Sequence, residues 1–309
     1  MTLTNTFTST DLQYLINTVY SPKVEREWQA NLLAADFFTD LSGLVAGGGN
    51  AISIADVFTN QFTASSKTNS TQVTLVSPAQ AQLSLSINTW KEISYIIEDK
   101  EIEQVIKASD YLDAYASQAR YIIAKALDTS LMGLYSGLSV SVNDTATDVT
   151  DSVVRQAIES VVDGDVPFNE MAFFFHPTVI WHDLMGIAKY TNVYQAGSQN
   201  GYNGPVITGA FGGGTRGKAL RGVLYGVPVY ETTNVQADGA SSAFYNLLAT
   251  PKAFMFGVQT PGGKRVRSQA HYWAESLGTL WTTDIIYGVA ELRDDCAVAI
   301  KSRQSGIVS

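Results

Sequence analysis

A glycine-rich loop is the part of the sequence whose residue types come closest to a chemical site. The segment from Gly212 to Lys218, GGGTRGK, satisfies the GxGxxG pattern of dinucleotide-binding proteins and nearly satisfies the P-loop pattern, in which backbone amides bind phosphates. A P-loop needs Ser or Thr after its lysine to hold magnesium, and this chain has Ala219. Both motifs also need a helix to begin at once, whereas Gly222, Gly226 and Pro228 exclude a long helix. The pattern favours a flexible surface or interface loop, with a nucleotide-binding enzyme that uses this loop as the alternative.

The histidines do not have the spacing of a metal site. His176 and His182 are six residues apart, which places them on different faces of a helix, and His271 lies far along the chain. His182 and Asp183 resemble a base and its orienting carboxylate. The sequence offers no good nucleophile to go with them, because residues 239–243 match GxSxG only approximately. We therefore expect no catalytic, cofactor-binding or metal-binding residues, and we predict that the protein is not an enzyme.

Two charged segments are candidates for contacts with other molecules. The acidic run over residues 98–103 could form a metal or general-acid cluster. The favoured interpretation is a solvated helix start, because acidic side chains are stabilised at the positive end of the helix dipole. The compact basic cluster consists of Lys264, Arg265 and Arg267, and Asp294 and Asp295 are candidate acidic partners. These basic residues fit a solvated strand, a contact with acids of a neighbouring subunit, or a contact with DNA phosphate.

Composition narrows the class of protein. The chain has 309 residues, of which 45% are hydrophobic, and this indicates a folded protein with a sizeable core. Charged residues make up only 16%, which predicts a largely neutral surface suited to large protein contacts. The net charge of −9 argues against a sequence-specific reader of nucleic acid. The single cysteine, Cys296, excludes an intramolecular disulfide, and the absence of a signal-like start or long apolar run predicts a soluble, intracellular protein.

Residues 51–89 alternate like a two-stranded β ribbon and carry only two charges, Asp56 and Lys67. The alternation is clearest at five apolar positions: Val73, Leu75, Leu83, Leu85 and Ile87. Residues 77–78 supply a turn between the two strands of this second half, and residues 64–71 resemble a loop or exposed tip. Because an isolated hairpin is marginally stable in water, we expect the ribbon to lie on another copy of the same chain.

Other segments supply the elements around this ribbon. Residues 1–49, with helical patterns over 12–19 and 23–33, are predicted to form an extended arm. The strongest helical pattern runs from Ser109 to Leu134, with an apolar stripe on one face and Asp128 among the residues that face away. Residues 150–190 predict a β/α alternation, with Asp151 capping a helix, a buried strand Met171 to Phe175 and a helix Thr178 to Ile187. A Gly-rich loop follows over 197–217, and then come strand-like runs over 223–230, 244–248, 253–258 and 296–300.

Four segments together resemble the major capsid proteins of tailed double-stranded-DNA bacteriophages. They are Trp90 to Glu103 leading into the long helix and its ending LMGLYSG, then FFFHP at 173–177, LYGVPV at 224–229, and ELR at 291–293. The resemblance covers nearly the whole chain and implies an α+β fold of the Hong Kong 97 type. It also implies a function: self-assembly through pentamers and hexamers into an icosahedral shell that encloses phage DNA.

The resemblance assigns a place to each segment. It implies an N-terminal arm over 1–49, an extended loop over 51–89 that lies across an adjacent subunit, a peripheral domain over 90–145 and 260–309, and an axial domain over 146–259. Contacts between subunits are expected at twelve residues: Phe58, Phe62, Lys67, Val73, Leu75, Leu83, Leu85, Lys264, Arg265, Arg267, Asp294 and Asp295.

Expected partners follow from the same resemblance. They are further copies of the chain, a separate scaffolding protein, a portal, in some cases a decoration protein, and packaged double-stranded DNA held by weak non-specific contacts, with no membrane. The separate scaffold is expected because the arm lacks a long charged helical prefix. The protein would be assembled in the host cytoplasm and located in the virion. An encapsulin-like nanocompartment shell is the alternative within the same fold, and genes for a portal and terminase or for a cargo enzyme would distinguish the two.

Overall fold

A computed structural model describes residues 32–56, 64–73, 75, 81–100, 108–191, 206–207, 219–238 and 243–303. The α-helices in these ranges are α1 (Ala34–Phe37), α2 (Ser42–Val45), α3 (Ala108–Met132), α4 (Asp151–Val162) and α5 (Ala188–Thr191). The strands are β1 (Thr39–Asp40), β2 (Ala51–Asp56), β3 (Ala81–Ser86), β4 (Thr89–Glu98), β5 (Ser141–Val142), β6 (Ala172–Phe175), β7 (Val206–Ile207), β8 (Leu220–Leu224), β9 (Val227–Glu231), β10 (Gln236–Asp238), β11 (Ala243–Ala249), β12 (Phe254–Val258), β13 (Arg267–Trp273), β14 (Gly278–Glu291) and β15 (Ala297–Arg303).

The described strands form three sheets. The five-stranded sheet has the order β1-β12-β14-β13, and β4 also pairs with β14. The eight-stranded sheet has the order β5-β15-β11-β6-β9-β8-β7, and β10 also pairs with β11. The third sheet is the antiparallel ribbon β2-β3. A continuous apolar core includes residues from α3 and from both larger sheets, which fixes these elements relative to one another.

The long helix predicted over 109–134 is present as α3, which has 25 residues and continues into a 3₁₀ turn at Gly133–Gly137. Its buried face includes Ala119, Ile123, Leu127 and Leu131, as the apolar stripe predicted. Tyr287 of β14 contacts the C-terminal half of this helix, where its hydroxyl lies 2.9 Å from the Ser130 hydroxyl. The helix therefore lies along the five-stranded sheet as a spine.

The segment after residue 32 differs from the predicted extended arm. Leu33 and Ala34 are buried, and the Phe38 ring packs against Phe254 with centroids 4.9 Å apart. The adjoining β1 adds to β12 as a parallel strand. Burial of these apolar side chains lowers the free energy of the folded chain, so this part of the predicted arm packs with the core. Residues 1–31, with the first predicted helical pattern and most of the second, lie outside the described residues, and residues 32–33 are not helical.

The ribbon is built differently from its predicted second half. Its paired strands are β2 and β3, in the register Ala51 with Ser86 and Asp56 with Ala81. Val73 and Leu75 lie in no strand, and residues 64–71 form a loop with a turn, as predicted. The turn predicted at 77–78 lies outside the described residues.

Two further element predictions were wrong in detail. The run 223–230 is a tight hairpin of β8 and β9, because Tyr225 and Gly226 have φ angles of 52° and 87° and form a two-residue turn. The helix predicted after the FFFHP segment is a π-helix at Val179–Leu184, whereas β6 confirms the buried strand before it.

The two larger sheets each take strands from both sides of the predicted domain boundaries, and the domain division itself stays a prediction. β12 belongs to the five-stranded sheet although it lies before the predicted boundary at residue 260. β15 lies after that boundary, yet it pairs with β11 in the eight-stranded sheet. β5 joins the eight-stranded sheet although it precedes residue 146. Hydrogen bonds between strands that are far apart in the sequence determine which sheet a strand joins. Changes of composition along the chain do not predict these pairings.

Candidate functional site

The base of the ribbon packs on its own chain. Ile52, Leu85 and Ile87 form a small apolar cluster with Val45 and Met255. Leu85 has no exposed surface in the single chain, so its side chain packs within its own subunit, and the intersubunit contact expected there stays a prediction. Leu83 is partly buried against the same cluster. The paired strands β2 and β3 are therefore supported by their own chain.

The loop between the ribbon strands exposes apolar side chains. Val73 is 65% exposed and Leu75 is 87% exposed, which is the highest value among the exposed large hydrophobic residues of the described chain. Lys67 is also exposed, and its Nζ donates to the Thr71 hydroxyl at 3.3 Å. Phe58 and Phe62 lie outside the described residues. Val73 and Leu75 are thus in contact with water in the single chain. Exposed apolar side chains of this kind often mark a surface that binds another protein.

A second apolar surface lies on the face of the five-stranded sheet opposite α3. Strand alternation and register place Trp90, Ile96 and Trp273 on this face, where they are 65%, 41% and 44% exposed. Leu277, in the turn between β13 and β14, is 66% exposed. We call these four residues the outer-sheet surface. Large aromatic side chains of this kind are enriched at protein interfaces.

The basic cluster predicted from the sequence finds its acidic partners within the chain. Arg265 pairs with Asp40 at 2.6 Å, and Arg267 makes a two-point contact with Asp284 at 2.9 and 2.6 Å. Lys264 is exposed. The predicted partners lie elsewhere, since Asp295 pairs with Arg293 and Asp294 accepts a hydrogen bond from the Ser139 amide at 2.7 Å. Within one chain the predicted basic and acidic residues therefore have other partners, and the contact between subunits stays a prediction.

Asp284 connects three strands. It lies on β14, is 3% exposed, and also accepts a hydrogen bond from the Trp90 indole at 3.0 Å. Arg267 on β13 and Trp90 on β4 thus meet at one carboxylate. The hydrogen bond from Arg267 lowers the pKa of Asp284 and outweighs the opposing effect of burial.

Asp128 is a buried carboxylate that the sequence interpretation placed on the outside. It is fully buried, and it accepts hydrogen bonds from the Ala34 amide at 2.6 Å and from the Asn234 side-chain amide at 2.7 Å. Burial raises the pKa of Asp128 despite these donors. Its position three residues before Leu131, at the edge of the apolar stripe, was the signal that could have revealed it.

Asp151 also differs from its predicted role. The helix cap position is Thr150, and Asp151 is the first residue of α4. Its carboxylate accepts from the Tyr190 hydroxyl at 2.7 Å and from the Tyr225 hydroxyl, and Lys189 lies at 3.3 Å. Burial alone would raise the pKa of Asp151, but these donors outweigh it and the net shift is downward. The cluster ties α4 to α5 and to the β8-β9 turn.

The remaining chemical candidates do not assemble into a catalytic arrangement among the described residues. The loop at 212–218 and residues 239–242 lie outside that part of the chain. His176 is half-buried and its ring stacks on Phe244 with centroids 3.8 Å apart, while His271 is exposed on β13. Asp99 of the acidic run accepts a hydrogen bond from the Tyr272 hydroxyl at 3.0 Å. No described helix is both long and apolar enough to cross a membrane.

Comparison with solved structures defines the class of fold: the chain has the α+β capsid fold of tailed phages, of the Hong Kong 97 type. A chain from Mycobacterium phage Che8 is 17% identical with a TM-score of 0.70, over 92% of this chain and 96% of that one. A chain of the mature capsid of bacteriophage PhiM1 is 16% identical with a TM-score of 0.68, over 93% and 92% of the two chains. A chain of the capsid of cyanophage P-SCSP1u is 14% identical with a TM-score of 0.64, over 96% of each chain. No protein-family model matches the sequence. No curated protein matches it either.

Proposed function

We propose that this protein is a major capsid protein, which assembles through pentamers and hexamers into an icosahedral shell around phage double-stranded DNA. The observation that carries the proposal is the extent of the structural match: phage capsid chains cover this chain almost from end to end and are covered by it in turn. The structural match therefore extends over nearly the whole chain. The resemblance found in the sequence supports the same conclusion.

The proposed mechanism of assembly uses the two exposed apolar surfaces. In a single chain the ribbon loop with Val73 and Leu75 is in water, and so is the outer-sheet surface with its two tryptophans. Burial of such side chains between subunits is favourable at about 25 cal/mol for each Å² of apolar area. We propose that the ribbon loop of one subunit lies on a neighbouring subunit and that the outer-sheet surface is also covered in the shell.

Charge pairs contribute less to the proposed interfaces than the sequence suggested. Arg265 and Arg267 already have partners in their own chain, so a contact with another subunit would have to replace these pairs or extend them. Lys264 and Lys67 are exposed and stay candidate contacts. Interfaces that are mostly neutral avoid the cost of removing water from charges, which suits a shell made of many weak contacts.

Partners other than further copies of the chain remain part of the proposal. They are a separate scaffolding protein, a portal and, in some shells, a decoration protein, with DNA held only by weak contacts. The net charge of −9 supports the last point, because strong DNA binding needs a basic surface. The location in the virion, after assembly in the host cytoplasm, follows from the same proposal.

Electron microscopy of the purified full-length protein tests the proposal. We expect closed shells with five-fold and six-fold capsomers, either from the protein alone or after addition of the proposed scaffolding protein. The deletion to compare removes residues 57–80 and joins the strands by a short Gly-Ser linker. It leaves β2, β3 and the buried Leu85 in place, so the chain is expected to fold but not to assemble.

Two results would contradict this. Intact shells from the deletion variant would remove the ribbon loop from the mechanism. A full-length protein that stays a monomer at high concentration, with the scaffolding protein present, would contradict the capsid function itself.

A further inference from the structure

Three potential metal ligands converge near the start of α4. Asp148 lies in the loop that precedes this helix, and His182 and Asp183 lie in the π-helix 179–184. Each of these residues offers one ligand atom, and the three atoms lie within 4.8 Å of one another. The sequence interpretation missed the group because 34 residues separate Asp148 from His182.

The Asp183 carboxylate is the central member of this group. Its side chain is only 5% exposed; Oδ1 lies 2.9 Å from His182 Nδ1, and Oδ2 accepts a hydrogen bond from the Val149 amide at 2.8 Å. None of the lysine or arginine ion pairs found in the described ranges involves Asp183. A buried carboxylate without a cationic partner is costly, so this position favours a bound cation.

Asp148 differs in that it already has a cation. Arg303 donates from Nη2 to Asp148 Oδ2 at 2.9 Å, and its Nε lies 2.5 Å from Oδ1. Each carboxylate oxygen has two lone-pair directions, so Asp148 can keep Arg303 and still ligate an ion. The Arg303 and Val149 donors then hold the two carboxylates in place, as outer partners do in established metal sites.

We propose that Asp148, His182 and Asp183 form a binding site for a divalent transition-metal cation, with zinc as the best match. One imidazole and two carboxylates are ligands that zinc accepts, whereas magnesium and calcium prefer oxygen ligands throughout. The side chain of His182 is 42% exposed, which leaves an open path for the ion and room for water as a further ligand. Such an ion would join the loop before α4 to the π-helix, and the site does not depend on the proposed shell function.

Calorimetric titration of the full-length protein with zinc chloride, after treatment with a chelator, tests this site. We expect saturable zinc binding that is not competed by a large excess of magnesium chloride. His182→Ala removes an exposed ligand and should fold normally, and we expect it to lower zinc affinity at least about 10-fold. Asp148→Asn should also weaken binding. His271→Ala is the matched control, because His271 is an exposed histidine on β13, and its zinc affinity should equal that of the original protein.

Three outcomes would overturn the proposal. Equal zinc affinity in the original protein and His182→Ala would show adventitious binding elsewhere. Magnesium binding at the same strength as zinc would show a general acidic surface. Absence of zinc binding would refute the site, and a loss of thermal stability in His182→Ala would then assign the hydrogen bond between His182 and Asp183 a structural role.

Discussion

Asp128 shows how a single buried carboxylate holds the start of the described chain to the spine helix. Its oxygens accept hydrogen bonds from the Ala34 amide and the Asn234 side-chain amide, so Asp128→Ala leaves these buried donors without an acceptor. We expect this substitution to lower the free energy of unfolding by about 3 kcal/mol, measured by urea denaturation. Asp128→Asn keeps one acceptor oxygen and should cost less.

The control for Asp128 is an acid that stays in water. Glu159 lies exposed on α4, and Glu159→Ala should change stability by no more than about 0.5 kcal/mol. Equal losses in Asp128→Ala and Glu159→Ala would mean that the buried hydrogen bonds contribute nothing.

The pH dependence of stability tests the same residue. Burial raises the pKa of Asp128 above its ordinary value of 3.8, so the folded chain keeps a proton that the unfolded chain has already released. The original protein should therefore lose stability relative to Asp128→Asn as the pH rises from 3.8 through the folded-state pKa. Urea denaturation of both proteins from about pH 4 to about pH 7 measures the difference. A constant difference would show that Asp128 titrates alike in the folded and unfolded chain.

Among the elements, the two strands that flank β14 depend on one another through Asp284. The carboxylate joins Arg267 of β13 to Trp90 of β4, so Asp284→Ala should loosen both strands and cost about 1–2 kcal/mol of stability, because the donors left behind can still bind water. Hydrogen exchange should show the amides of β4 and β13 opening faster. Trp90→Phe removes only the indole donor and should cost about 1 kcal/mol. If hydrogen exchange in β4 and β13 were unchanged in Asp284→Ala, the carboxylate would not connect the strands.

The ribbon base depends on a close backbone approach at Gly288. A Cβ added there would lie 2.1 Å from the Ser86 carbonyl oxygen, so β3 would have to move away from β14. We expect Gly288→Ala to destabilise the protein by about 1–3 kcal/mol or more in thermal or urea unfolding. Gly43 in α2 has nothing within 4 Å of the same position, so Gly43→Ala should be neutral or slightly stabilising. Similar losses in both variants would mean that the contact with Ser86 is not the cause.

For the whole molecule, the exposed apolar residues of the ribbon loop should matter for assembly and not for folding. The double variant Val73→Ser/Leu75→Ser changes side chains that are 65% and 87% exposed, so the unfolding free energy should change by no more than about 0.5 kcal/mol. We expect far fewer shells in electron microscopy and sedimentation at equal concentration. Gln72→Ser is the control, because it changes an exposed polar side chain of the same loop, and it should assemble normally. Normal assembly of the double variant would exclude these side chains from the interface.

Elements with strong local patterns were predictable from the sequence. The apolar stripe of α3, the buried strand β6 and the alternation of β3 each repeat over several residues, and that repetition is a direct consequence of helix and strand geometry. The full-length resemblance to capsid proteins rested on the order of such elements, and the structural comparisons confirm the fold. Which face a polar residue takes at the edge of a stripe is not fixed by the pattern, and Asp128 was placed on the wrong face for that reason.

Tertiary structure alone decided which distant residues meet. The partners of Arg267, Asp128 and Asp183 lie on other elements, and their pairing depends on strand register and helix packing. The same holds for Leu33, Ala34, Phe38, Val45 and Leu85, which are buried in the core of their own chain. Local periodicity records which side of an element is apolar, whereas long-range packing determines what that side contacts, and only the folded chain carries that information.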